Sequence, residues 1–353
     1  MKIKLAILEK DVSYLNRIVA AFSTKYADKF EIYSFTDPSV ALSSLDDAKI
    51  DVLVANDAFE IDVASLPKRC GFAYFVDSAD INMENDQRAI CKYQKADLIY
   101  KQILSVYSEK AGSISGLKLD EESTKIIFFN SVSGGTGASS MAAATALRFA
   151  AKNKKTLYLN IEKFGSADTF FSGEGQFDMS DIIFALKSKK ANLPLKLESC
   201  VKQDSKGVYF YSQTQIALDM LELGCDEVIR LISELKLTGG YDYIIVDSDF
   251  GLDKDSLKIY RLAHSIVWVG DGSEASNNKI FRAYNALNTL EANADSPLVN
   301  RLCLIYNKFS NKTSKALSDI AIKNIGGAPR FEHATVDMVL EQLKSKDMLD
   351  KIV

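Results

Sequence analysis

One segment near the middle of the chain limits the possible folds more than any other. The apolar run KIIFFN (125–130) is typical of a buried strand, a turn with glycines at 134, 135 and 137 follows it, and the small residues after the turn predict a helix. The backbone N–H groups of such a turn, together with the helix dipole, bind an anion without any side chain. The segment therefore predicts a phosphate-binding loop in an α/β domain, with a tight glycine turn that binds nothing as the alternative.

Short apolar runs alternate with helical patterns on both sides of this segment. Such alternation indicates parallel, doubly wound sheets. Residues 105–123 are rich in Ser, Gly and charge and are predicted to form a linker between a domain of residues 1–104 and a second domain of residues 124–353. The predicted strands are 2–8, 30–35, 51–56, 72–77, 96–101, 125–130, 156–161, 208–212, 241–247, 265–270 and 301–307. The predicted helices are 12–26, 40–45, 139–152, 179–189, 225–237, 274–292, 313–324 and 335–345.

Composition excludes several classes of function. The net charge of the 353 residues is −4, so the basic excess that binds phosphate backbones is missing and nucleic acid is not an expected partner. No apolar run approaches the roughly 18 residues of a membrane helix, so no integral membrane segment is expected. The five cysteines are scattered and only two histidines occur. These counts predict reduced thiols in a cytoplasmic protein and no zinc site.

The loop sequence SGGTGASS (133–140) resembles the deviant Walker A motif of the MinD/ParA ATPases, and this resemblance extends over most of residues 124–353. It implies that the domain binds ATP or ADP with Mg²⁺. Asp247 matches the Walker B carboxylate, Asn307 in LIYNKF matches the residue that reads adenine, and Pro329 in GGAPRF matches the proline against the base. The implied nucleotide-binding residues are Gly134, Gly135, Thr136, Gly137, Ala138, Ser139, Ser140, Asp247, Asn307, Pro329 and Arg330, and the implied metal-binding residues are Ser139 and Asp247.

Three positions depart from that motif. Ser133 and Ala138 replace the two lysines of the loop, and Asn160 replaces an acidic residue of switch I. Positioning and charge stabilisation account for most of phosphoryl-transfer catalysis, so binding without fast hydrolysis is expected. Glu162 remains as the candidate catalytic residue that orients water, and Lys163 is a weaker candidate for a nearby positive charge. The alternative is an active ATPase that cycles by hydrolysis.

The first domain resembles the receiver domains of response regulators. Glu9 and Asp11 follow the first predicted strand, Ser78 follows the fourth, and Lys101 ends the fifth. The phospho-acceptor position falls on Asn56, whose amide cannot form an acyl phosphate. The domain is therefore interpreted as a flavodoxin-like, receiver-like docking module. A response regulator with an ATPase output domain is the alternative.

A degenerate receiver, a linker and a MinD-like domain with altered loop lysines together resemble the TadZ/CpaE-like proteins of Flp (tight adherence) pilus systems. The resemblance implies a cytoplasmic factor, at the cell pole next to the inner membrane, that places the pilus secretion machinery. It also implies that the receiver-like domain contacts proteins of that machinery. We further expect a homodimer that forms through residues 162–175 and 247–256 of the ATPase-like domain.

Overall fold

The computed structural model describes residues 2–110, 124–188, 192–292 and 294–353. The chain divides into two compact units, one of Met1–Gly116 with Ala185–Cys200 and one of Leu117–Phe184 with Val201–Val353. Both units are α/β units with mainly parallel sheets, which confirms the predicted class of two doubly wound domains. Among the described residues, no helix combines the length and the apolar character needed to cross a membrane.

The first unit contains a six-stranded sheet of order β2-β1-β3-β4-β6-β5, parallel except for the edge strand β5. Helices α1 and α3 cover one face and α2 covers the other. Asp11 begins α1 by accepting hydrogen bonds from the backbone N–H groups of Ser13 and Tyr14, as N-cap residues do. The elements are β1 (Ile3–Leu8), α1 (Val12–Lys25), β2 (Phe30–Phe35), α2 (Pro38–Asp47), β3 (Val52–Asn56), β4 (Gly71–Val76), β5 (Met83–Glu84), β6 (Gln87–Cys91) and α3 (Ala96–Lys110).

Two predictions for this unit are wrong. The strand predicted at 96–101 is the start of α3, because the six-residue window was too short to show the helical spacing of Ile99, Ile103 and Val106, which are all buried. The fifth parallel strand is β6, which the sequence prediction missed. Residues 105–110 of the predicted linker also belong to α3, and residues 111–123 lie outside the described residues.

The second unit contains an eight-stranded sheet of order β14-β13-β12-β7-β11-β8-β10-β9, in which only β9 is antiparallel to its neighbour. The strands are β7 (Lys125–Asn130), β8 (Thr156–Asn160), β9 (Lys202–Gln203), β10 (Tyr209–Phe210), β11 (Tyr243–Asp247), β12 (Ser265–Gly270), β13 (Leu302–Phe309) and β14 (Lys323–Pro329). The helices after residue 124, of which α6 and the end of α5 belong to the first unit, are α4 (Ala138–Ala151), α5 (Met179–Ser188), α6 (Leu193–Cys200), α7 (Ala217–Leu221), α8 (Cys225–Thr238), α9 (Lys254–Tyr260), α10 (Glu274–Leu290) and α11 (Val336–Lys344).

The helix predicted at 313–324 is not formed. The chain between β13 and β14 is irregular, and β14 follows it as the edge strand. Side chains here bond to nearby backbone in place of helical hydrogen bonds: the hydroxyl of Ser314 donates to Asp271 O at 2.8 Å, and Leu317 N donates to the Tyr306 hydroxyl at 2.8 Å. Such bonds compete with helix formation.

Helix α6 belongs to the first compact unit although it lies far along the chain. It packs on α3, where the Tyr100 hydroxyl donates to Glu198 at 2.8 Å and the buried Lys196 ammonium donates to Ser105 Oγ at 2.9 Å. The predicted division at residues 104 and 124 therefore differs from the compact units in two places. The first unit extends beyond residue 104, and it also includes a later segment of the chain.

Candidate functional site

The predicted order of strand, glycine-rich loop and helix is present as β7, the loop and α4. Gly134, Gly135 and Gly137 have φ angles of 69°, 66° and 88°, in the left-handed region that favours glycine. A Cβ atom at Gly137 would lie 2.5 Å from Asn307 Nδ2, so a side chain there would displace the Asn307 amide. Helix α4 begins at Ala138 directly after the loop. Its first N–H groups and its dipole therefore face the same region as the loop amides.

Neighbouring elements hold this loop through hydrogen bonds that the sequence prediction missed. The hydroxyls of Ser131 and Thr136 each donate to the carbonyl of Val269, at the end of β12, at 2.9 Å. Ser133 stands where the resembled motif has the first of its two lysines. Its hydroxyl lies 2.9 Å from the buried Ser276 hydroxyl of α10. The Ser133 side chain is thus bonded within its own chain.

Four of the predicted polar residues meet beside the loop. Asp247 ends β11 and is fully buried, and its Oδ2 accepts hydrogen bonds from the Tyr158 hydroxyl at 2.6 Å and from Asn160 Nδ2 at 3.1 Å. Glu162 Oε2 lies 3.2 Å from Asn160 Nδ2 and 3.4 Å from the Ser139 hydroxyl. The structure therefore brings Ser139, Asn160, Glu162 and Asp247 together, and it adds Tyr158, which no sequence motif indicated.

The protonation of this cluster is shifted by burial. Burial, with the charge of Glu162 as a second cause, raises the pKa of Asp247 to about 7. Burial also raises the pKa of Glu162. Asp247 Oδ1 accepts no hydrogen bond from the described residues, although it is buried. A buried carboxylate oxygen without a donor is costly unless a cation, a proton or water satisfies it.

The oxygen groups of this cluster are suited to hold a divalent cation together with the oxygens of a phosphate group. Among the described residues, no group of three or more His, Cys, Asp or Glu side chains could hold a metal ion by itself. Mg²⁺ is usually bound by one or two protein oxygens together with phosphates and water. The Ser139 hydroxyl and the unpartnered Asp247 oxygen are oxygen groups of the kind that could serve as those protein ligands.

The residues predicted to contact the base are not gathered into one pocket. Asn307 Nδ2 donates to the loop carbonyl of Thr136 at 2.8 Å. Pro329 ends β14 and lines an open cavity of about 600 Å³ with Tyr306 and Phe309, and the described lining of this cavity does not include Asn307. Arg330 is exposed and forms an ion pair with Glu332 at 3.2 Å. The roles of Asn307, Pro329 and Arg330 at a base stay predictions.

The polar residues expected at the receiver-like site are bonded to one another. Asn56 Nδ2 donates to both carboxylate oxygens of Glu9, at 2.8 and 2.9 Å, and both residues are fully buried. Lys92, directly after β6, lies 2.6 Å from Asp77 and 3.7 Å from Glu9. These carboxylates hold the pKa of Lys92 above its ordinary value, although burial acts in the opposite direction. The lysine after the fifth strand is therefore Lys92, and the assignment of that position to Lys101, which lies within α3, is wrong.

Comparison with known proteins agrees with this two-part description. Residues 1–108 match the family model of the TadZ-like receiver domain. The chain resembles the crystal structure of a ParA family ATPase from Chlorobium tepidum, with a TM-score of 0.52, 22% identity, and coverage of 65% of this chain and 98% of the other. The MinD cell division protein of Aquifex aeolicus has a TM-score of 0.49 and 18% identity, with 65% and 94% of the two chains covered. No curated protein matches the sequence.

The class of protein follows from these features. The chain joins a receiver fold with an altered acceptor site to a domain with the fold of the ParA-type ATPases. Its N-terminal part, residues 1–108, is similar to the TadZ-like receiver domain, in agreement with the resemblance drawn from the sequence.

The receiver-like domain should not accept a phosphoryl group. The Asn56 amide is not a carboxylate nucleophile, and both oxygens of Glu9 are occupied. Incubation of the protein with acetyl phosphate and Mg²⁺, followed by mass spectrometry, should show no added phosphoryl group on residues 1–104. Beryllofluoride should likewise leave the NMR spectrum of this region unchanged. An aspartyl phosphate at Asp57, absent from an Asp57→Asn control, would contradict this prediction.

Asp247 should make the metal-free protein less stable as the pH rises. Its pKa is about 7 when folded and about 3.9 in an unfolded chain, so the folded state holds an extra proton between these values. The stabilisation is complete below pH ~4 and is lost as the pH rises to about 7, by at most ~4 kcal/mol. Thermal melts in EDTA should show Asp247→Asn gaining stability relative to the unmodified protein between pH 5 and pH 8. The exposed control Asp319→Asn should show no such gain, and a parallel pH dependence of Asp247→Asn and the unmodified protein would refute the shift.

Proposed function

We propose that the protein is an ATP-binding, slowly hydrolysing or non-hydrolysing scaffold of the MinD/ParA type that helps to place pilus assembly machinery. The observation that carries the proposal is a loop with three left-handed glycines directly before helix α4 and no lysine at position 133 or 138. The receiver-like domain, which matches the TadZ-like model, would dock the partner proteins.

Binding would rely on backbone groups. The N–H groups from Gly134 to Ser140 surround the phosphates, and the Ser139 hydroxyl and Asp247 hold Mg²⁺ directly or through water. The buried, unpartnered oxygen of Asp247 supports this assignment. ATP, or ADP in the resting state, is the ligand whose chemistry these groups match.

Hydrolysis would be slow for an electrostatic reason. Charge that develops on the transferred phosphoryl group needs a cation close to it, and neither Ser133 nor Ala138 supplies one. Glu162 lies beside Ser139 and can orient a water molecule, but its pKa is raised by burial. The residues therefore favour binding over turnover, and a hydrolysing, MinD-like cycle is the second candidate.

A homodimer would form on the face that carries residues 162–175 (the first switch segment) and residues 247–256 (the second switch segment). A cavity of about 140 Å³ is lined by Lys163 of the first segment, Asp249 of the second and Leu221 of α7. Apolar side chains around these segments are exposed to solvent, at 78% for Phe164 and 67% for Leu218. If they form one contiguous patch, side chains such as these would mark an interaction surface. Ser133 is bonded to Ser276 within its own chain, so the dimer would rely on apolar contacts and not on a charged side chain at position 133.

Localisation at the cell pole belongs to the same proposal. A scaffold that places a machine gains from being multivalent, because a second tethered contact experiences a high effective concentration. The dimer would present two receiver-like domains to proteins of the pilus machinery. This arrangement needs nucleotide binding for assembly but no rapid hydrolysis.

The protein should bind ATP with Mg²⁺ and turn it over very slowly, at ~10⁻⁴ s⁻¹ or less, the range of a GTPase without its activating arginine. Mg²⁺ should raise the affinity of the unmodified protein for ATP. In calorimetry, Ser139→Ala should lose most of this gain, which is about tenfold. Ser140→Ala, its neighbour, should keep the ratio of affinities measured with and without Mg²⁺. Absence of ATP binding by the unmodified protein would refute the nucleotide proposal, whereas turnover near 1 s⁻¹ would favour the cycling ATPase.

The protein should be a dimer at tens of micromolar concentration. A stable interface needs about 1,200 Å² or more of buried area. The substitution Phe164→Ser removes the most exposed apolar side chain from the proposed face. Light scattering should give a monomer for this variant. Phe184→Ser, which changes a phenylalanine that is 72% exposed but lies outside the proposed interface, should leave the dimer intact. A monomeric unmodified protein, with and without ATP, would show that partner proteins alone localise it.

A further inference from the structure

The end of strand β13 contacts the glycine-rich loop through two consecutive residues. Asn307 Nδ2 donates to the carbonyl of Thr136 at 2.8 Å, and Lys308 Nζ donates to the carbonyl of Gly135 at 2.7 Å. Two successive loop carbonyls are therefore held by two successive side chains. No sequence motif indicated a role for Lys308.

An irregularity in the strand makes this double contact possible. Successive residues of a regular strand point to opposite faces, so Asn307 and Lys308 could not both reach the loop. The pairing of β13 with β14 shifts register between Tyr306 and Phe309, and Lys308 has a left-handed φ of 56°. Bulges of this kind re-aim side chains, and they are common next to functional sites. A non-glycine residue in this conformation is strained and persists where its surroundings hold it there.

The contacts also fix which way the loop's peptide groups face. The carbonyls of Gly135 and Thr136 are bonded to the strand side chains, so the loop cannot rotate these peptide units without breaking the two bonds. The packing is close: a Cβ atom at Gly137 would lie 2.5 Å from Asn307 Nδ2 and 3.8 Å from Lys308 Cε.

We propose that Lys308 is a positioning residue that, together with Asn307, keeps the loop's amide groups turned toward the phosphates of a bound nucleotide. This inference rests on the proposed nucleotide binding. In a loop without its own lysine, backbone amides carry most of the phosphate recognition, so their pre-organisation sets the affinity. Lys308 acts on the loop and not on the terminal phosphoryl group.

The effect should therefore be equal for nucleotides that differ only in that group. Lys308→Met keeps most of the side-chain length but removes the donor, and it should weaken ATP and ADP binding by the same factor, about tenfold, which corresponds to about 1.4 kcal/mol. Lys308→Arg keeps a donor and should recover most of the affinity. Lys312→Met makes the same change at an exposed lysine four residues later and should bind both nucleotides like the unmodified protein.

Calorimetry with both nucleotides separates the possible results. A loss for ATP alone would mean that Lys308 serves as a charge for the terminal phosphate, and an unchanged affinity for both would mean that it has no role; either result overturns the inference. If the unmodified protein binds neither nucleotide, the proposed function fails by itself.

Hydrogen exchange in the nucleotide-free protein tests the loop contact independently. Lys308→Met should speed the exchange of amides 133–138 severalfold, and Lys312→Met should not. Equal exchange in both variants would overturn the positioning role whatever the binding results show.

Discussion

The hydrogen bonds that neighbouring elements make to the outside of the glycine-rich loop are the interactions on which the rest of the site depends. The carbonyl of Val269, the hydroxyl of Ser276 and the amide of Asn307 each hold one part of the loop. A glycine-rich segment loses more conformational entropy on ordering than any other sequence, so it needs such contacts to keep one shape. The contacts that shape the loop therefore involve no lysine at position 133 or 138.

Much of the fold could be predicted from the sequence, because long apolar patterns and glycine positions are local signals. Strand β7 and helix α4 on the two sides of the glycine-rich turn were predicted to within one residue. The errors arose where tertiary contacts decide. The 96–101 segment is apolar enough for either a strand or a helix, and the sequence around Ser314 forms side-chain bonds in place of a helix. The placement of α6 in the first unit depends on its packing with α3, which no local pattern shows.

The site could be predicted in part for the same reason. The motif resemblance indicated Ser139, Glu162 and Asp247, and the structure places these residues together. It could not indicate Tyr158 or Lys308, because their contacts depend on the neighbouring strands and on a bulge near the end of β13. It also misplaced the receiver lysine, since counting strands from the sequence took the start of α3 for the fifth strand.

Each domain contains a buried carboxylate, Glu9 in the first and Asp247 in the second. The two carboxylates differ in how they are satisfied, and this contrast bears on function. In the receiver-like unit, Asn56 stands where an acceptor carboxylate would be, and its amide satisfies Glu9 without a metal or a phosphate. In the ATPase-like unit, the carboxyl group of Asp247 is fully buried. One of its oxygens has no hydrogen-bond partner among the described residues, and its pKa is raised to about 7. An asparagine at position 247 would remove that destabilisation. A buried carboxylate lowers folding stability unless a cation neutralises it. The contrast therefore supports the proposed Mg²⁺-nucleotide site in the second domain and a docking role for the first.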